Sequence, residues 1–421
     1  MTRSFESGMP SWLPWVVWSF GPAMFFYAFF QRVAPSVMID QLMRDLNAGG
    51  AVLGNLSAFY FYAYAGLQIP AGLMMDRFGP RRLLSFGAMV CATGTILFAL
   101  ATSLGAAYLG RLLVGLGASF GFVGALKLAT TWLPARRFAL ASGLLMMAGM
   151  AGGILGQAPL AAVVEWTGWR QALLGSAAAG VLLGIGTWMV VRDQPRGASI
   201  TTGRVGVLDM ARGLATVVRN GQNWLVALAC ASMTAPLLAF AGLWGVAWLM
   251  QVHGMSRPDA AITTSLLLLG WAFGSPIAGA ISDHVGRRKP PLISAIVLGA
   301  GCLSVLLYAE SLGAGVMRVL FFVSGVCFGT MVLGFALTRE TNAAEVQGAA
   351  FGLLNCAVVG TGAIFQPLVG ALLDWRWDGR MAAGAPLYDA ASYRFAFGAL
   401  LVFLATGLIA GFRIREGARR R

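Results

Sequence analysis

Twelve apolar stretches, each close to the roughly 20 residues a helix needs to cross a bilayer, constrain this chain more than any other feature. They fall at about 13–38, 51–71, 83–104, 107–131, 138–163, 171–191, 223–250, 260–281, 291–309, 315–337, 348–372 and 393–413 of the 421 residues. Hydrocarbon offers backbone N–H and C=O groups no partners, so segments of this length must satisfy their own and form helices. The predicted fold class is an all-α membrane protein with twelve transmembrane helices. Composition removes the soluble alternative: 11% of the residues are charged, against about 25% in soluble domains, and mean hydropathy is +0.75.

The distribution of Lys and Arg orients the helices. With the N-terminus in the cytoplasm, twenty basic residues fall on cytoplasmic segments and six (Arg44, Arg170, Arg257, Arg376, Arg380 and Arg394) on the other side. Both termini are therefore expected in the cytoplasm. The net charge of +14 is then a topological bias, and no nucleic-acid partner is expected. The longest cytoplasmic connection divides the chain into an N-terminal six-helix bundle (1–191), a glycine- and arginine-rich linker (192–222) and a C-terminal six-helix bundle (223–421). The first apolar run has no small-residue cleavage site and reads as a retained helix. All five cysteines lie inside apolar stretches without repeated spacing, which argues against a disulfide framework or a metal site. No phosphate loop or catalytic triad is visible, so neither a cofactor nor an enzymatic activity is predicted.

One short motif recurs. Gly72 to Arg82 reads GLMMDRFGPRR, and Gly279 to Lys289 reads GAISDHVGRRK. Gly72, Asp76 and Gly79 match Gly279, Asp283 and Gly286, and both copies end in a basic run, Arg81 and Arg82 in one, Arg287 onward in the other. Each lies between apolar stretches and is expected to be a cytoplasmic loop. The chain reads as two related halves.

These features together resemble the major facilitator superfamily. The first motif is similar to that family's Gly-x-x-x-Asp-Arg-x-Gly-Arg-Arg/Lys signature, with Pro80 where arginine is frequent. An arginine followed by spaced glycines in helix four (Arg111, Gly115, Gly117, Gly121) is similar to a second family pattern, and Arg318 with Gly325 and Gly329 in helix ten is its weaker echo. Phe25 to Met38 and Leu56 to Arg82 resemble the branch of phagosomal nutrient transporters and lysosomal dipeptide transporters. Arg32 is also similar in placement to the substrate arginine of organic-phosphate and sugar-acid permeases. The resemblance implies a central cavity lined by helices one, four, seven and ten, with two bundles rocking around it. It also implies a gating role for Gly72, Asp76, Arg77, Gly79, Arg81, Arg82, Arg111, Gly279, Asp283, Gly286 and Arg287. Gly72 would let helix two approach helix eleven closely. Asp76 would cap the positive N-terminal end of helix eleven or pair with Arg77 or Arg81.

An ionisable side chain inside a spanning helix is costly and marks function by default. Two stand out. Arg32 in helix one shares a face with Phe29, and it either binds a carboxylate or phosphate in the cavity or snorkels outward to Asp40 or Asp45. Lys127 in helix four either faces the cavity or snorkels to headgroups. Tyr60, Tyr64, Gln157, Trp244 and Asn355 complete the candidate substrate-binding set, with helix packing as the plainer role for each. Asn55, Tyr62, Trp248 and Gln366 are further polar candidates. Gly149, Gly152, Gly153 and Gly156 in helix five form small-residue pairs for close helix approach. No aspartate or glutamate lies at mid-helix, which favours uniport, exchange, or proton coupling through the solute's own carboxylate over a protein-borne proton relay.

The predicted function is alternating-access transport of a small organic solute across the bacterial cytoplasmic membrane, by a monomer, in the lipid bilayer. A carboxylate-bearing nutrient such as an amino acid or short peptide leads. An organic acid anion, sugar phosphate or nucleoside is the alternative, and a non-transporting solute sensor is the rival from another class.

Overall fold

A computed structural model describes residues 10, 12–134, 137–194, 215–309, 312–343 and 346–416. Most of the predicted linker, Arg136 and the terminal Arg419, Arg420 and Arg421 lie outside the described residues. Span 1 is Leu13–Val33, prolonged by the 3-10 turn Ala34–Val37. A short helix, Ile39–Asp45, leads to span 2, Gly50–Phe78, and span 3, Pro80–Ala99. Span 4 is Leu104–Ala118 with Phe120–Trp132, span 5 is Phe138–Leu155 with Ala158–Thr167, and span 6 is Trp169–Val190. Span 7 runs Gly221–Ala235, Pro236–Trp244 and Gly245–His253. Spans 8 and 9 are Arg257–Val285 and Lys289–Tyr308. Span 10 is Ala314–Gly329, Thr330–Val332 and Leu333–Thr341, span 11 is Gln347–Trp375, and span 12 is Ala390–Arg413. Between the last two, Met381–Ala382 pairs antiparallel with Ala385–Pro386, in the register Met381 to Pro386 and Ala382 to Ala385.

Among the described residues, eleven of these segments are apolar and long enough to cross a membrane. Span 2 is equally long at 29 residues, but Asn55, Tyr60, Tyr62, Tyr64 and Gln68 dilute its hydropathy. The most polar helix is thus one that faces other helices along much of its length.

Both repeated motifs are mainly helix ends. Gly72 to Phe78 forms the last two turns of span 2, and Gly279 to Val285 closes span 8. The turn shrinks to Gly79 alone, at φ +80°, in the first copy and to residues 286–288, opening on Gly286 at φ +73°, in the second. Left-handed backbone of this kind favours glycine, and Pro80 opens the next helix at once because its missing N–H costs nothing at a first turn.

The helix starts that follow the turns are capped from a distance. The Asp193 carboxylate, just past span 6, accepts from the Arg81 N–H at 2.8 Å. In the other half Glu416, just past span 12, accepts from the N–H groups of Arg288 and Lys289 at 2.6 and 2.5 Å. The first N–H groups of a helix lack internal partners and carry partial positive charge, so a carboxylate there is stabilising. Burial acts to raise the Glu416 pKa, but those two N–H groups and Arg287 outweigh it and hold the carboxyl below its usual range. The two caps occupy equivalent places in the two halves.

The halves meet along spans 2 and 11, the most extensive helix pair. A Cβ on Gly370 would overlap the Gly50 carbonyl, and one on Gly54 would overlap that of Gln366. Both glycines lie away from the motifs. Toward the motif face the seam is bridged by Asn355 Nδ2 donating to Gln68 Oε1 at 3.4 Å. Beyond that bond, a Cβ on Gly72, Gly348 or Gly352 would meet nothing within 4 Å. Gly72 therefore makes no close helix approach in this conformation, contrary to expectation, because the helices have splayed before reaching it.

Candidate functional site

Arg32 sits in the last turn of span 1 and is 6% exposed. Its guanidinium carbon lies 4.1 Å from the ring centre of Phe29, 5.1 Å from that of Tyr64, 5.5 Å from Tyr60 and 5.7 Å from Phe61. The cation thus rests in a cage of aromatic faces supplied by spans 1 and 2, each attracting it through its ring quadrupole. Spacing explains the cage: Phe29 and Arg32, and Tyr60 and Tyr64, are three and four residues apart and share helix faces. Nε of Arg32 has no hydrogen-bond partner, and among the described residues no carboxylate pairs with it. Arg32 does not reach Asp40 or Asp45. Asp40 is held by Arg257, and Asp45 by Arg44, Arg170 and Trp169.

A small cavity opens beside the guanidinium. Phe29, Arg32 and Val33 line it from span 1, Phe61 from span 2, Leu237, Leu238 and Gly242 from span 7, Leu268 and Trp271 from span 8, and Gln366 from span 11. It therefore lies between the two halves. Its walls are apolar except for Arg32, Gln366 and the indole of Trp271.

Span 7 is built differently at this depth. Pro236–Trp244 is a nine-residue π-helical stretch, and every residue of it is buried. Pro236 has no N–H to give to the preceding turn, and π turns mark functional positions in many helices. Two carbonyls of the stretch are held by glutamines from other spans. Gln157 of span 5 donates through Nε2 to the Ala241 carbonyl at 2.7 Å, and its Oε1 accepts from Ser265 of span 8 at 3.1 Å. Gln366 donates to the Leu238 carbonyl at 2.8 Å. Trp244 Nε1 donates to the Gln366 carbonyl at 3.0 Å, which fixes that turn of span 11.

The sequence-predicted candidates thus separate. Arg32, Phe29, Tyr60 and Tyr64 come together at the cage. Gln157 has both amide ends engaged between the halves, and Trp244 positions Gln366. Asn355 bridges to Gln68 nearer the motif face. Lys127 donates to Asp76 at 2.6 Å, from span 4 to span 2. Asp76 accordingly has Lys127 as its partner, rather than the start of span 11 or Arg77 or Arg81. Arg111 is 1% exposed and donates through Nη1 to the Gln31 carbonyl at 2.9 Å, which ties span 4 to span 1. Arg81 donates through Nε to the Trp188 carbonyl at 2.9 Å. In the second motif Arg288 meets Asp283 at 2.7 Å and Glu340 at 3.4 Å, while Arg287 meets Glu416 at 3.2 Å.

The face opposite the motifs is clasped by groups the sequence reading left unassigned. Asp374, near the end of span 11, accepts from the N–H groups of Gly50 and Ala51 at 2.8 Å each and from the Tyr388 hydroxyl at 2.5 Å. The predicted cap of span 11 by Asp76 is not formed; instead Asp374 of span 11 caps the start of span 2, at the other face. Arg257, at the start of span 8, grips both oxygens of Asp40 at 2.7 Å and donates to the Val37 carbonyl at 2.7 Å. Burial acts to raise the Asp40 pKa, but the hydrogen bonds and charge of Arg257 outweigh it and hold the carboxyl below the ordinary aspartate value. The signal for both clasps was an acid at a helix end, which does not by itself name a partner over 200 residues away.

The family model of the Major Facilitator Superfamily matches residues 20–367. SauU, a probable sulfoacetate transporter of Cupriavidus necator, is 26% identical over 68% of this chain and 69% of its own length. GudP, a probable galactarate/D-glucarate transporter of Bacillus subtilis, is 24% identical over 77% of this chain and 78% of its own. UhpC, a membrane sensor protein of Escherichia coli, is 24% identical over 85% of each. Among solved structures, a bacterial homolog to the human lysosomal transporter Spinster, inward-facing and occupied, matches with a TM-score of 0.78 at 18% identity, over 96% of this chain and 97% of that one. With its helical architecture and apolar spans, this chain is a multi-pass membrane protein and belongs to the Major Facilitator Superfamily of transporters.

Proposed function

We propose that this protein carries a small organic anion across the membrane by alternating access, with Arg32 as the anchor of the anionic group. The observation that carries the reading is a buried guanidinium with no carboxylate partner among the described residues, beside a cavity shared by both halves. A buried charge without a counter-ion is expensive, and an arriving carboxylate, sulfonate or phosphate would supply the missing partner through paired hydrogen bonds. The same balance weighs against the amino acids and peptides that lead the sequence reading. A zwitterion would bring an ammonium group into a cavity whose only charged wall is cationic.

In this reading the halves 1–191 and 223–421 rock as two bodies about the cavity, with both termini in the cytoplasm. The motif face is then cytoplasmic, and the conformation is open inward and clasped outward. Uptake or exchange needs no protein-borne proton carrier, since the solute itself neutralises Arg32.

Uptake of radiolabelled organic acids into proteoliposomes tests the proposal. Arg32→Ala should lower apparent affinity by about 30-fold or more, corresponding to the roughly 2 kcal/mol lost when one partner of a buried charge pair is removed. Near-normal uptake by the variant would remove Arg32 from the site. The similarity to a membrane sensor keeps a second reading alive, in which the solute is bound and not moved. Saturable binding without flux across the organic acids would establish that one instead.

A further inference from the structure

Gln366 differs from Gln157 in one respect that bears on the solute. Both glutamines reach the π stretch of span 7 and donate an amide N–H to one of its carbonyls. Gln157 Oε1 has Ser265 as its donor. Gln366 Oε1 is buried and has no partner. Its orientation follows from chemistry: the Leu238 carbonyl can only accept, so the amide nitrogen must face it and the oxygen must point away. The residue is 1% exposed and lines the Arg32 cavity. Phe29, Val33, Phe61, Leu237 and Leu268 have no donor to offer, and neither Arg32 nor the indole N–H of Trp271, which also line the cavity, reaches that oxygen. A buried acceptor left unpaired is costly, so the bound state should supply one.

We infer that Gln366 reads a hydroxyl on the transported anion, which makes the preferred solute a small hydroxylated acid rather than its deoxy analogue. This rests on the anion reading of Arg32 and adds a second contact to it. The donor must be neutral, since the cavity walls hold no carboxylate to balance an ammonium beside Arg32. A site built around a hydrogen bond discriminates strongly against a ligand lacking the group, because its own polar atom is then buried unpaired. Trp244 acts here as a positioning residue by holding the Gln366 main chain.

The test compares paired probes on the purified full-length protein in nanodiscs, lactate with propionate and malate with succinate, by calorimetric titration. The wild-type protein should bind the hydroxylated member of a pair at least about tenfold more tightly. In Gln366→Met, which keeps the length and loses the acceptor, hydroxy-acid affinity should fall and the ratio should narrow to about twofold. Should that variant fail to fold, the wild-type ratio alone decides. Equal wild-type affinities within a pair would overturn the inference while leaving the Arg32 reading standing. Absence of binding by all four acids would overturn both as readings of a carboxylate solute, and loss of both members of a pair in Arg32→Ala, with the ratio intact in the wild type, would support both.

Discussion

At the scale of the residue, placement divides groups that composition makes look alike. Lys127 and Arg32 are both cations within spanning helices, yet one is paired and partly exposed while the other is caged and unpaired. The Asp76–Lys127 pair has side chains 59% and 28% exposed, and ion pairs of that kind contribute about 0.2–1 kcal/mol. Lys127→Gln and Asp76→Asn should therefore shift the melting temperature only slightly, and Lys127→Gln should leave organic-acid affinity unchanged. A weakened affinity in Lys127→Gln, measured beside Arg32→Ala, would return the lysine to the cavity.

At the scale of the element, three carboxylates act on the starts of remote helices. Asp193, Glu416 and Asp374 each reach the N-terminus of a helix remote in sequence, and only the last joins the two halves. Asp374→Asn keeps the shape but loses the charge that complements the start of span 2. It should raise the population with the opposite face open, read as longer spin-label distances between the ends of spans 2 and 11. Gly370 offers an independent handle on the same seam. Gly370→Val should separate the two helices and cost roughly 1–3 kcal/mol from overpacking, visible as a lower melting temperature.

At the scale of the whole molecule, the closed face depends on Asp40 with Arg257 as well as on Asp374, and Glu165 adds a weaker contact at 4.0 Å. The sign of its pH dependence follows from the depressed Asp40 pKa. The clasp is intact above the ordinary aspartate value of 3.8 and is lost as pH falls through the lower value in the closed state. Distances across the opposite face should accordingly stay constant from neutral pH down to about 4 and lengthen only below it. Arg257→Gln should remove that acid response, and a transition near neutral pH would assign the clasp to another group. The helical, membrane-spanning architecture and the order of its apolar helices were legible in the sequence, because the energy of apolar burial and the backbone's need for internal hydrogen bonds act along a single helix. The aromatic cage around Arg32 was partly legible for the same reason, as residues three and four apart share a face. The sequence alone does not determine that Lys127 turns to Asp76, that Asp374 caps span 2, or that Gln366 keeps a free oxygen where Gln157 does not. Those outcomes depend on which helices meet and at what depth, and that is decided by packing between segments hundreds of residues apart.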